Sequence, residues 1–295
     1  MMGSGNFQSL MLPKYRKVFF DAYDEMAEQY SDVFNMDTSK KSKEYDYHVS
    51  GTGLWETKEP GGTISEEEID VGDEVTYTHV AYAKMITIER ELADDEQYGV
   101  MEKLPKKLGR GGRAVVETVS ANILNNSFTV AGYDDSYLIG SDHPLINSSS
   151  TVSNLMTTAA LSDTTIKEGI TSMRTDMLTE EGLKMQATAK KLILPPDLEF
   201  TALTILQSMG QSNTANNATN VVKGRLAPVV MDYLTSTTAY WFMDPMLNEL
   251  RFFWRVKPEF KSAENFDNMV AKYRGYLRFS VGYSDWRGWI GNLGA

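Results

Sequence analysis

Several stretches of this sequence carry residue types that could do chemistry. Ser141-Asp142-His143 holds the side chains of a hydrolytic triad in consecutive positions. Neighbours in sequence cannot line up a nucleophile, a base and an orienting acid, so the group reads as a turn followed by Pro144. Gly109-Arg110-Gly111-Gly112-Arg113 has the glycines and cations of a phosphate cradle. A cradle needs a strand before it and a helix after it, and this run lies inside a helical pattern. The acids from Glu66 to Glu74 could gather calcium, yet they lack the Asp/Asn/Gly order of a binding loop. His48 and His79 share an extended region with no third ligand. The five tryptophans, Trp55, Trp241, Trp254, Trp286 and Trp289, could form a stacking platform for a sugar or base; core and interface burial is the commoner use. No G-x-x-x-x-G-K-[ST], H-E-x-x-H or G-x-S-x-G motif occurs. Catalytic, cofactor-binding and metal-binding residues are therefore all expected to be absent.

The composition narrows the class further. The 295 residues include no cysteine and three histidines, which removes disulfides, thiolate sites and a Cys nucleophile. Forty acids against twenty-nine bases give a net charge of −11, unlike a module that grips nucleic-acid phosphates. The first residues lack a basic and an apolar region, so no secretory signal is expected, and no apolar run is long enough to span a membrane. Charge is segregated. Residues 64–102 hold twelve acids against Lys84 and Arg90, whereas residues 103–113 hold Lys103, Lys106, Lys107, Arg110 and Arg113 and no acid. Residues 247–278 hold seven bases against four acids. Such blocks are either solvated faces or complementary surfaces that meet between copies.

The elements that must position these residues fall into successive regions. Residues 1–45 read as an arm with an amphipathic helix from Lys14, its apolar positions running through Val18, Phe19, Ala22, Tyr23, Met26, Tyr30, Val33 and Phe34. A lone helix of this kind needs a surface to pack on. Residues 46–92 alternate like strands around the turn Glu59-Pro60-Gly61-Gly62, giving a long polar two-stranded excursion. Such a hairpin cannot bury a core alone, so it is expected to pack on another chain. Residues 93–128 are helical, opened by Asp94-Asp95-Glu96, with Pro105 and the glycines predicting a kink or two consecutive helices. Residues 129–240 mix helices and strands: Ser162-Asp163 caps a helix, Lys191-Leu192-Ile193-Leu194 is a buried strand, and 211–218 is a polar surface loop. Residues 241–295 return to strands in which Arg alternates with aromatics, one face packed and one solvated.

In this order the residues acquire a resemblance. The hairpin with Trp55 before Glu59-Pro60-Gly61-Gly62, the entry Ile86-Thr87-Ile88-Glu89-Arg90-Glu91-Leu92-Ala93-Asp94-Asp95, and a long helix ending near Asn125-Asn126-Ser127-Phe128 are similar to tailed-bacteriophage major capsid proteins of the Hong Kong 97-type fold. Gly140-Ser141-Asp142-His143-Pro144-Leu145, Leu192-Ile193-Leu194-Pro195-Pro196-Asp197-Leu198-Glu199 and Trp241-Phe242-Met243-Asp244 resemble the Mu-type major head subunit in particular. So do Arg255-Val256-Lys257-Pro258-Glu259-Phe260 and the run from Arg278 to Gly288.

The resemblance implies an α+β chain with an N-terminal arm (1–45), an E-loop and strand (46–92), a peripheral domain with a spine helix (93–131), an axial domain (132–240) and C-terminal peripheral strands (241–295). It implies a structural, non-enzymatic protein of the virion, without cofactors, whose pentamers and hexamers close into an icosahedral shell around double-stranded DNA held by non-specific proximity. A separate scaffold or protease protein and a portal are implied as partners, since the chain has no room for a cleaved scaffolding segment, with assembly in the bacterial host cytoplasm and no membrane. Candidate subunit-interface residues are Trp55, Lys58 and Pro60 at the turn, Glu66, Glu67 and Glu68 in the acidic stretch, and Lys103, Lys106, Lys107, Arg110 and Arg113 in the basic one. A polymer- or carbohydrate-binding module and an enzyme with an unrecognised site are the competing readings.

Overall fold

The computed structural model describes residues 7–64, 66, 69–89, 100–146, 150–210, 219–265 and 270–295. Glu67, Glu68, the acids before the long helix and the 211–218 segment lie outside them.

Helix α1 (Phe7–Asp24) buries Tyr15, Phe19, Ala22 and Tyr23, a spacing of four, three and one that makes a single stripe. The stripe packs on the chain's own long helix and sheet, with Tyr15 edge-on to Tyr273 at 5.2 Å and Phe19 against Phe260 at 5.1 Å. The surface that this helix required is therefore intramolecular. The helix does not run on to Phe34 as its apolar spacing suggested. Buried Glu117 accepts hydrogen bonds from the backbone N–H groups of Gln29 (3.1 Å) and Tyr30 (3.2 Å), which turns the chain into a single 3-10 turn, Tyr30–Asp32. Tyr30, Val33 and Phe34 then enter the main core, and β1 (Asn35–Thr38) joins a sheet edge.

Helix α2 (Val100–Asn125) is continuous over 26 residues, ~39 Å at 1.5 Å per residue. Of the kink or two consecutive helices expected at Pro105 and the glycines, the two separate helices do not form. Pro105 sits in the second turn, where its missing N–H removes one ladder bond. Gly109 is where α1 crosses: a Cβ there would run into the Phe19 carbonyl oxygen. Close approach of the two helices offsets the ~1 kcal/mol helix cost of a glycine.

The first sheet has the order β1-β10-β11-β4, from β4 (Val80–Glu89), β10 (Leu250–Asn265) and β11 (Val270–Tyr283) besides β1. β10 and β11 form a long antiparallel hairpin, β4 pairs antiparallel with β11, and β1 runs parallel to β10. Ala271, Tyr273, Leu277 and Phe279 of β11 are buried, while the alternate Lys272, Arg274, Tyr276 and Arg278 face outward, as period-2 strands require.

The second sheet has the order β12-β9-β7-β8, from β7 (Lys191–Leu194), β8 (Ala227–Val230), β9 (Tyr240–Met243) and β12 (Trp289–Asn292). It draws residues from both sides of position 240. Helix α3 (Asp163–Thr175) starts at Ser162, whose Oγ accepts from Thr165 N at 3.2 Å, and α4 (Glu199–Gln207) follows β7. The sheet's core is aromatic: Trp241 donates from Nε1 to Ser127 Oγ (3.1 Å) and Trp289 from Nε1 to Asn248 Oδ1 (2.9 Å), so burial leaves neither indole N–H unpaired.

The remaining pair, β2 (Lys43–Val49) and β3 (Val71–Thr78), is an antiparallel two-stranded ribbon apart from both sheets. Contrary to the expectation of packing only on another chain, its base is fastened to this one. His48 stacks on Tyr133 at 4.3 Å and its Nε2 meets the Ser284 carbonyl, Gly51 N–H donates to Glu181, and Tyr77 OH lies 2.6 Å from Ser284 Oγ. A short antiparallel ribbon pairs β5 (His143–Pro144) with β6 (Thr151–Val152).

Candidate subunit-interface surfaces

The hairpin tip, residues 50–70, is closed by Ser50 N to Asp70 O (2.9 Å) and by the turn bond Gly62 N to Glu59 O (3.0 Å), with Gly61 at φ 84°. The left-handed φ is why glycine stands there. No described residue covers the tip's apolar side chains: Leu54 is 80% and Trp55 93% exposed, and Ile64 and Ile69 are exposed as well. Lys58, Pro60 and Glu66 are exposed beside them.

The basic block divides into two sets. Arg110 Nη2 lies 2.8 Å and Lys106 Nζ 3.5 Å from Glu25 Oε2, and the Arg110 hydrogen bond holds the Glu25 carboxyl below its ordinary range. Arg113 is 4% exposed; its Nε donates to Tyr23 O (3.2 Å), and its guanidinium stands 4.2 Å over the Tyr23 ring and reaches Asp24 and Glu28. Burial pushes the Tyr23 phenol up to about 12, with Arg113 opposing it. Arg113 is thus an internal clamp rather than a surface cation, because the end of α1 and the turn after it bring Asp24, Glu25 and Glu28 onto this face of α2. Lys103 and Lys107 point outward and pair with no acid among the described residues.

Lys107 borders a groove of about 540 Å³ between α2 and strands β4 and β11. Ala83, Gly111, Gly112 and Gly275 leave it hollow, Leu104 and Leu108 wall it, and Lys84 lies on it from β4. No acid among the described residues lines it.

The suspected chemistry is absent from the geometry. His143 is fully buried and Ser141 exposed. The ring's Nδ1 lies 2.7 Å from Asp134 Oδ2 and its Nε2 3.1 Å from Asn154 Oδ1, an oxygen fixed as acceptor because Asn154 Nδ2 donates to the Leu138 and Trp289 carbonyls. With Trp286 stacked at 4.0 Å, the ring is a structural bolt with no free nitrogen for a nucleophile. His79 is buried between Ser39 Oγ (3.1 Å) and Ser280 Oγ (3.0 Å), and burial lowers its pKa. Trp241, Trp254, Trp286 and Trp289 are buried, which leaves Trp55 alone and no stacking platform. Among the described residues no group of three His, Cys, Asp or Glu could hold a metal, and no helix is long and apolar enough to cross a membrane.

Comparison with known proteins decides the family. The profile of a family described as phage capsid protein matches residues 72–292, about three quarters of the chain. The chain belongs to the phage capsid protein family. As a capsid subunit it is a structural protein, not an enzyme, and its place is the virion shell. A search of curated proteins by sequence found no match. The fold is shared with solved shells of low sequence identity. The procapsid subunit of bacteriophage JBD30 is 15% identical, with a TM-score of 0.55 over 99% of this chain and 76% of that one. The capsid subunit of cyanophage P-SCSP1u is 10% identical, with a TM-score of 0.62 over 91% and 88%. The mature capsid subunit of bacteriophage PhiM1 is 11% identical, with a TM-score of 0.59 over 89% and 85%.

On this capsid subunit the sequence-derived candidates do not form one cluster. The tip residues stand on the β2–β3 ribbon, while the lysines and arginines stand on α2. Sequence reasoning missed Asp24, Glu25 and Glu28 as the partners of the basic block. Only Asp24 lies within α1; Glu25 and Glu28 follow its end, so helical spacing would not have placed them. The groove had no sequence signal either, since its small residues come from three separate elements.

Proposed function

We propose that this chain is the major head subunit of a tailed bacteriophage of the Mu type, and that its pentamers and hexamers close into an icosahedral shell around double-stranded DNA. The family match over residues 72–292 carries the reading. In this assignment the arm is 1–45, the β2–β3 ribbon with its tip is the E-loop of region 46–92, and α2 is the spine of the peripheral domain (93–131). The second sheet is centred on the axial domain (132–240), and the β10–β11 hairpin supplies the peripheral strands of 241–295. A tip with an exposed tryptophan and an unsupported turn supports contact with a neighbour, where it gains the burial its own chain does not provide.

The interface is drawn from Trp55, Lys58, Pro60 and the acidic stretch on one side, and from the outward lysines of α2 on the other. Packaged DNA is held by proximity alone, since a chain of net charge −11 repels phosphates over most of its surface. A separate scaffold or protease protein and a portal complete the assembly, which takes place in the bacterial host cytoplasm. Sedimentation and negative-stain microscopy of the expressed protein test the reading. Closed particles of uniform diameter are the expected result, and a soluble monomer under every assembly condition, with scaffold supplied, rejects it.

A further inference from the structure

We infer that residues 25–32, between α1 and β1, form a proton-operated strap whose sensor is the buried carboxyl of Glu117 on α2. The strap closes over that carboxyl at acid pH and opens as the pH rises. This goes beyond the shell reading and does not depend on it.

The strap is anchored at both ends and thinly held between them. Before it, Arg113 Nε donates to the Tyr23 carbonyl oxygen (3.2 Å). After it, Asn248 Nδ2 donates to the Val33 carbonyl oxygen (2.7 Å), and Val33 and Phe34 enter the core. Within residues 25–32 only Tyr30 is buried, its ring 4.9 Å from that of Phe252. The rest of the hold is polar. Gln29 Nε2 donates to Asp232 Oδ2 (2.8 Å), Gln29 Oε1 accepts from Asp232 N (2.9 Å), and Lys191 Nζ donates to the Asp32 carbonyl oxygen. Asp232 follows β8 and Lys191 opens β7, so the strap ties α2 to the second sheet. A segment with one buried side chain opens at lower cost than the fold as a whole.

Beneath the strap, Glu117 is 2% exposed, and its two oxygens accept the Gln29 and Tyr30 N–H groups, one each. Among the described residues no cation donates to it. Arg113, one turn earlier on α2, gives its N–H groups to Tyr23, Asp24 and Glu28 instead. Burial is the largest influence on the Glu117 carboxyl and raises its pKa; the two N–H groups and Arg113 oppose the rise, and Glu28 from the strap adds to it. Tyr23 and Tyr30 stand beside it, and burial pushes both phenols up, so neither ionises in the acid range. Once the strap opens, water reaches the carboxyl and its pKa returns toward ~4.3. The closed strap therefore holds a proton that the open strap releases. A rise in pH from ~4.3 through the raised value favours opening.

Amide hydrogen exchange of the unassembled full chain tests this residue by residue. After correction for intrinsic exchange rates, opening at the Gln29 and Tyr30 amides is expected to rise over that interval. The rise approaches about tenfold per pH unit, because the closed and open forms differ by up to one proton. In Glu117→Gln the slope should vanish. Gln29→Ala breaks the Asp232 fork and leaves Glu117 in place; it should raise opening about tenfold at every pH and keep the slope. Equal slopes in wild type and Glu117→Gln overturn the sensor, and so does a flat wild-type profile, whether or not Glu117→Gln folds. Exchange of both amides only in step with the core strands β9 and β10 overturns the strap. Neither result touches the shell reading, which particle formation decides by itself.

Discussion

Gly109 of α2 lies against the carbonyl oxygen of Phe19 in α1, so close that no side chain can stand between the two helices. Two positions on, Gly111 faces open space. The same amino acid therefore serves opposite needs on nearly opposite faces of one helix. Gly109→Ala is expected to destabilise the subunit by ~1–3 kcal/mol through overpacking, despite better helix propensity. Gly111→Ala should stabilise it by ~0.5–1 kcal/mol. Urea midpoints of the two variants moving in the same direction would contradict this account of the crossing.

Trp55 separates subunit stability from assembly. At 93% exposure it contributes little to its own fold, so Trp55→Ala should keep the isolated subunit within ~0.5 kcal/mol of wild type. Loss of an aromatic interface anchor commonly costs ~2 kcal/mol or more, and particle formation should fall accordingly. Thermal melting of the monomer and sedimentation of the assembled fraction read the two effects separately. A variant that unfolds as a monomer would place the tip in the single-chain core.

The basic block of α2 should split by partner. Lys107→Glu is expected to leave monomer melting unchanged and to weaken assembly more at 20 mM than at 500 mM salt, since exposed ion pairs between copies are screened. Arg113→Ala should instead destabilise the monomer by ~2 kcal/mol through lost stacking on Tyr23 and lost buried hydrogen bonds, with little salt dependence. Assembly titrations of Lys107→Glu that show no dependence on ionic strength would remove that lysine from the interface.

Glu117 gives the monomer a defined pH response. Burial raises its carboxyl pKa despite the two backbone N–H groups that it accepts. The folded state then binds the proton more tightly than the unfolded chain, whose carboxyl titrates near ~4.3. This contribution favours the folded state below that value and is lost as pH rises through the higher folded pKa. Relative to Glu117→Gln, wild type should therefore lose stability over the interval from pH ~4.3 upward through the raised folded pKa. Parallel denaturation curves of the two proteins across that interval would show that the group does not titrate there.

Local patterns announced most of the elements. Ser162 before a periodic apolar run marked α3, Lys191-Leu192-Ile193-Leu194 marked β7, and Pro60-Gly61-Gly62 marked the tip turn, because capping, burial and turn chemistry are settled within a few residues. Alternation in β11 likewise foretold which face carries Arg274 and Arg278 and which carries Tyr273 and Phe279. Two local predictions failed for one reason, which is that a tertiary contact overrode propensity. Glu117, 87 residues from Tyr30 in sequence, holds the chain in a non-helical course at Gln29 and Tyr30, and the Phe19 carbonyl makes Gly109 an asset inside a helix that its glycines were expected to kink or divide. Whether a charge is spent or free was equally beyond reach of the sequence. Arg110 and Lys107 stand three residues apart in one basic run, yet the docking of α1 gives Arg110 its Glu25 and leaves Lys107 facing outward beside a groove built from three elements. Side-chain type and spacing act over a turn or a strand, but pairing and hollows depend on which distant elements the folded chain brings together.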